Sequence, residues 1–152
     1  MAIAIVLHLL PAVIWVGGMF FAYMALRPVA ASQLEPPARL SLWVGVFNRF
    51  FPWVFASIAL ILASGFWIIY AVYGGFAATG LYVHVMLVFG ILMMLIFFHV
   101  FFAPFKRLKQ SVAKEDWPSG GRYLAQIRMM IGINLLLGLF TIAVASGGRY
   151  FT

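Results

Sequence analysis

Long apolar runs separated by short polar or glycine-rich breaks set the pattern of this chain. The first covers residues 2–26 and ends at Arg27-Pro28, where charge and proline together are expected to stop an apolar helix. After the polar link ASQLEPPAR, residues 38–51 mix Arg39, Asn48 and Arg49 with Trp43 and several phenylalanines. Arg beside Trp favours the membrane–water interface, so an interfacial helix is expected over 38–51 until Pro52 redirects the chain. The second run, 52–73, carries the small residues Ala56, Ser57, Ala63, Ser64 and Gly65, which let a neighbouring helix come close. GGFAATG then reads as a tight turn. The third run, 81–103, stops at Pro104, and the stretch 106–128 reads as the one sizeable polar loop, with a turn at Trp117-Pro118-Ser119-Gly120-Gly121. The fourth run, 129–145, has Gly132 and Gly138 for close approach. Runs of about 20 apolar residues cross a hydrocarbon core of about 30 Å. The expected fold is all-α: a polytopic four-transmembrane-helix bundle making one domain of residues 1–152.

Composition strengthens this reading. Hydrophobic residues make up 66% of the chain and charged residues only 9%, where a soluble domain carries about a quarter charged. A net charge of +7 raises the question of nucleic acid, but the basic residues flank apolar spans and have no polar domain to present them. They serve better as orientation signals. Arg27, Arg39, Arg49, Lys106, Arg107, Lys109, Lys114, Arg122 and Arg128 fall on one side of the expected membrane, with Arg149 alone on the other. The positive-inside rule then places both termini outside, periplasmic in a bacterial inner membrane. The N-terminus, MAIAIVLHLL, lacks the basic n-region and cleavage site of a secretory signal, so the first span is expected to be retained.

The absence of cysteine removes disulfides and thiolate sites, which leaves histidine, methionine, carboxylate or backbone oxygen to hold any metal. All three acids (Glu35, Glu115, Asp116) lie between spans, so no catalytic carboxylate pair exists within the bundle. Neither a phosphate-cradling glycine loop nor a nucleophile elbow is present.

Polar residues inside the spans carry the functional signal, because ionisable groups there are costly. His8 lies six residues into the first span and His84 three into the third. At 1.5 Å per residue these depths are roughly 9 and 5 Å, from the same side. Two imidazoles near one level could ligate both axial positions of a haem or give two nitrogens to copper. The plainer alternative is that each satisfies itself on backbone or water near the interface. Met19 follows His8 by eleven residues, about 20° away on the same face, and so offers a thioether deeper along the helix. His99 belongs to the other leaflet, where it is either a second ligand or the hydrogen-bond partner of Asn134 on the fourth span. Met86, Met93 and Met94 do not share the His84 face and read as packing. Arg49 and Arg149 could neutralise haem propionates at the inner and outer faces, or serve as ordinary interfacial anchors.

The first span, IVLHLLPAVIWVGGMFFAYMALRP, resembles the first helix of the copper-resistance D (CopD) domain family: a histidine (His8), a W-V-G-G segment (Trp15 to Gly18) and a closing Arg27-Pro28. The early His84 and late His99 in one helix, the basic loop and the small-residue-rich last helix also look like that family. The resemblance implies a polytopic inner-membrane protein of copper uptake or tolerance, often paired with a periplasmic copper-binding partner. Larger members carry more spans than the four expected here. A more distant similarity is to HemJ-type protoporphyrinogen oxidases, four-span haem-associated proteins whose third helix pairs its histidine with a nearby lysine; here His84-Val85-Met86 has none.

Three functions are therefore carried forward. In the first, copper is captured by His8 and His84 and passed toward Met19, and the protein is not an enzyme. In the second, haem b has His8 and His84 as axial ligands, and the protein is an oxidoreductase fed by a membrane electron donor. The third is a scaffold whose polar residues only knit the bundle. The lipid bilayer is a partner in all three, with self-association into a homo-oligomer as a further option.

Overall fold

In the computed structural model, which describes residues 1–150, helix α1 (Ala2–Phe21) passes through a π-helical turn (Ala22–Leu26) into α2 (Arg27–Gln33). Residues 151 and 152 and the side chain of Arg149 are outside the described residues, and with them the role expected for Arg149. Helix α3 (Pro36–Trp67) ends in a second π turn (Ile68–Val72). After the connection come α4 (Leu81–Phe102), α5 (Pro104–Ala113) and α6 (Trp117–Gly147). Among the described residues there is no strand, and four helical stretches are long and apolar enough to cross a membrane: Ala2–Gln33, Pro36–Val72, Leu81–Ala113 and Trp117–Gly147. Their short links give an up-down-up-down bundle.

The break expected at Pro104 is present, with Ala103 non-helical between α4 and α5, but at Pro28 and Pro52 the helices run on. At Arg27-Pro28 the chain widens into the π turn, with Arg27 N–H donating to the Ala22 carbonyl, and the helix runs on through Pro28 to Gln33. Pro52 lies inside α3. It leaves the Asn48 carbonyl without its helical donor, but Asn48 is on the exposed face. The opposite face carries Leu40, Trp43, Phe47, Phe51, Val54 and Ile58, all buried and three or four residues apart. That stripe runs through Pro52, so 38–51 is the first half of a packed helix rather than a separate interfacial one. Phe47 stacks on Phe51 at 5.0 Å between ring centroids.

The expected polar loop 106–128 is also largely helical, because α5 turns into α6 over only Lys114–Asp116, with Glu115 at φ 55°. Trp117 to Gly121 is the start of α6, not a turn. Asp116 accepts a hydrogen bond from Ser119 N–H at 3.2 Å, and the Ser119 hydroxyl first, then this backbone contact, hold its carboxyl below the usual carboxylate range. Gly120 is needed for proximity: a Cβ there would sit 3.0 Å from Leu40 Cδ1. At Gly138 a Cβ would meet Val16 Cγ2 at 2.8 Å, so the small residues of the fourth span do bring α1 and α6 together. The link at the other end of the bundle turns sharply through Gly74 (φ 78°) and Gly75 (φ 125°), conformations that favour glycine.

The centre of the bundle is a cluster of phenylalanines. Phe97 of α4 meets Trp15 of α1 edge-on at 6.2 Å and Phe51 of α3 at 5.3 Å. Phe105 of α5 closes the cluster toward the basic end, 4.9 Å from Phe51 and 5.7 Å from Phe47.

Candidate functional site

His8 projects from α1 against α3, at the end of the bundle closed by the Tyr73–Gly80 link. Its Nδ1 lies 3.0 Å from Ser64 Oγ. The Ser64 hydroxyl donates to the Leu60 carbonyl at 2.5 Å, with the Ile61 carbonyl at 3.3 Å. A hydroxyl has one proton. With that proton directed to backbone carbonyl, Ser64 can only accept from the imidazole, so His8 Nδ1 carries the hydrogen and Nε2 keeps its lone pair. Gly65 makes room for this placement, since a Cβ there would lie 3.1 Å from His8 Cε1. Three residues along, Pro11 lacks an N–H and so leaves the Leu7 carbonyl without its helical donor beside the site.

His84 sits at the same end, in the first turn of α4. Its Nδ1 lies 3.3 Å from the Gly80 carbonyl and 3.5 Å from Thr79 Oγ1, whose own hydroxyl donates to the Phe76 carbonyl at 2.7 Å. The Gly80 carbonyl can only accept, so in the neutral ring the same tautomer follows, with Nδ1–H directed to that carbonyl and the lone pair on Nε2. The ring of Phe76 lies 6.1 Å away. The two imidazoles thus share an end and a neutral tautomer but have separate partners, His8 on α3 and His84 on the link. His84 is exposed and His8 half-buried.

Met19 is in the core, below His8 and Trp15 on α1. With Met130 and Asn134 of α6 it lines an otherwise apolar cavity of about 270 Å³ between α1, α3, α4 and α6. Neither His8 nor His84 lines that cavity. Met93 and Met94 are buried in the core.

Asn134, only 3% exposed, donates from Nδ2 to the Met93 carbonyl at 3.2 Å, and its Oδ1 has no hydrogen-bond partner. The expected pairing with His99 is not formed. Six residues beyond Met93, His99 is turned about 120° around α4 and is exposed. Arg49 is exposed on α3. Among the described residues, no group of three or more His, Cys, Asp or Glu gathers as a metal site.

Sequence reasoning took Ser64 and Gly65 as packing residues and missed that they fix His8. A serine-glycine pair within an apolar span was the available signal, but its meaning depends on a partner 56 residues away.

The profile of a family described as copper resistance protein D matches residues 44–147. The matched range includes Ser64, Gly65, His84 and His99 and begins after His8. No curated protein and no solved structure matches the chain.

Proposed function

The chain belongs to the copper resistance protein D family and is a copper-resistance membrane protein, and on that premise we propose that it handles copper by receiving the ion at the bundle end that holds His8 and His84. The observation that carries this reading is the direction of the Ser64 hydrogen bonds, which leave His8 Nε2 as a free, oriented imidazole donor. Imidazole suits copper, and a ligating histidine is ordinarily fixed through its other nitrogen in this way. His84 supplies a second Nε2 at the same end. Met19, in the core on the same helix, is a soft thioether that favours Cu(I) on the way inward. The positive-inside rule makes this end periplasmic in a bacterial inner membrane, with uptake or transfer directed toward the basic end. Arg27, Arg39 and Arg128 lining one pocket at the opposite end supports that orientation.

Protein purified from cells supplied with both copper and iron is expected to contain copper and to lack a Soret band. A stoichiometric Soret band that disappears in both His8→Ala and His84→Ala would assign those histidines to haem b and overturn the copper reading. Neither metal nor haem, with both variants altered only in stability, would leave a scaffold.

A further inference from the structure

At the end of the bundle opposite His8, α2, α3 and α6 enclose a second cavity, of about 260 Å³. Arg27, Arg39 and Arg128 line it, one from each helix, and no carboxylate does. Two of the guanidinium groups are held in place. Arg27 lies over the Tyr23 ring at 4.4 Å, and Arg39 Nη1 donates to the Ala31 carbonyl at 3.4 Å. Each keeps further N–H donors. Three arginines lining one cavity without a carboxylate make a site for an anion with several oxygens, and the planar forks of guanidinium match phosphate.

The surroundings specify what carries that phosphate. Trp43 and Trp117 form part of the cavity wall, as amphipathic aromatics do at headgroup level. Ala22, Phe47 and Ile131 line both this cavity and the apolar one of about 270 Å³ that also contains Phe21 and Phe50. A basic pocket therefore adjoins an oily one inside a membrane bundle. Inorganic phosphate would use only the first. A zwitterionic headgroup would bring its ammonium toward three guanidinium charges with no acid to receive it.

We propose that this pocket binds the phosphate of an anionic phospholipid, with an acyl chain along the adjoining apolar cavity. Basic pockets between transmembrane helices on the inner side are suited to such headgroups. The bound lipid would tie α2, α3 and α6 together at the end remote from the copper ligands, and its binding does not depend on copper.

The test is lipid titration of the delipidated full-length protein in detergent, read by native mass spectrometry and by thermal unfolding. Phosphatidylglycerol is expected to bind at least about tenfold more tightly than phosphatidylcholine of the same chains, and to raise the unfolding temperature more. Changing Arg27, Arg39 and Arg128 together to glutamine should remove that preference. Arg107→Gln with Lys109→Gln, which alters the same end outside the pocket, should retain it. Arg39→Gln alone, expected to reduce the preference, replaces the triple variant if the latter does not fold. Equal binding of the two lipids by the unaltered protein would overturn the proposal. So would an equal loss in the Arg107/Lys109 variant, which would indicate a general surface charge effect. Full competition by millimolar inorganic phosphate would assign the pocket to a soluble anion and equally overturn it.

Discussion

Replacement of His8 by alanine is expected to weaken copper binding by on the order of 100-fold or more, because it removes the donor that the local hydrogen bonds hold ready. Competition against a chromophoric Cu(I) chelator measures this directly. The graded response of neighbouring variants distinguishes a ligand from a structural histidine. Ser64→Ala leaves Nε2 in place but frees the ring to rotate and to exchange tautomers, and its expected cost is about 10–100-fold. Ser64→Thr, which keeps the hydroxyl, should recover most of the affinity. His99→Ala should change little, since His99 is exposed on α4 and apart from the site. Equal affinity in the unaltered protein, His8→Ala and Ser64→Ala would show that copper binds elsewhere.

The largest expected effect on stability is at Phe105. This residue is 1% exposed and meets Phe47 and Phe51 edge-on at 5.7 and 4.9 Å. Phe→Ala in a well-packed core costs about 3–5 kcal/mol. In a bundle whose outer surface is lipid, the hydrophobic transfer component is small and lost dispersion contacts dominate, so about 3 kcal/mol is expected. Phe102, 66% exposed three positions earlier, is the control and should be near neutral as alanine. Denaturant unfolding in detergent micelles compares the two. Equal destabilisation would mean that the aromatic cluster does not hold the α5–α6 hairpin to α3.

The number and order of spans were legible in the sequence because long apolar runs have few other uses, and the Gly74-Gly75 turn was legible because those residues permit the required φ angles. Pro104 marked the end of the third span correctly, but Pro28, Pro52 and Pro118 misled. The helix runs on through Pro28, Pro118 is a helix-start residue, and Pro52 is carried by a stripe of buried side chains running from Leu40 to Ile58. Local propensity yields to such a stripe when the carbonyl left without a donor lies on the exposed face. The mixture of arginine and aromatics over 38–51 was the two faces of one continuous helix, not a separate helix.

At the site, His8 and His84 could be chosen from the cost of placing imidazole in a span. Their hydrogen bonds could not, because Ser64 lies in another helix and the His84 partners arise from how the link folds back. Asn134 shows the converse limit. Depth matched it to His99, but rotation around α4 separated them, and the Met93 carbonyl took its place. The family profile begins at residue 44, so the role proposed for His8 rests on the Ser64 geometry rather than on the match.

X-ray absorption at the copper edge of the copper-loaded protein tests most directly whether His8 is a ligand. The outer-shell scattering of an imidazole ring is expected in the unaltered protein, diminished in His8→Ala and unchanged in His99→Ala. A spectrum without imidazole scattering, or one that His8→Ala leaves unaltered, would contradict a copper site built on His8.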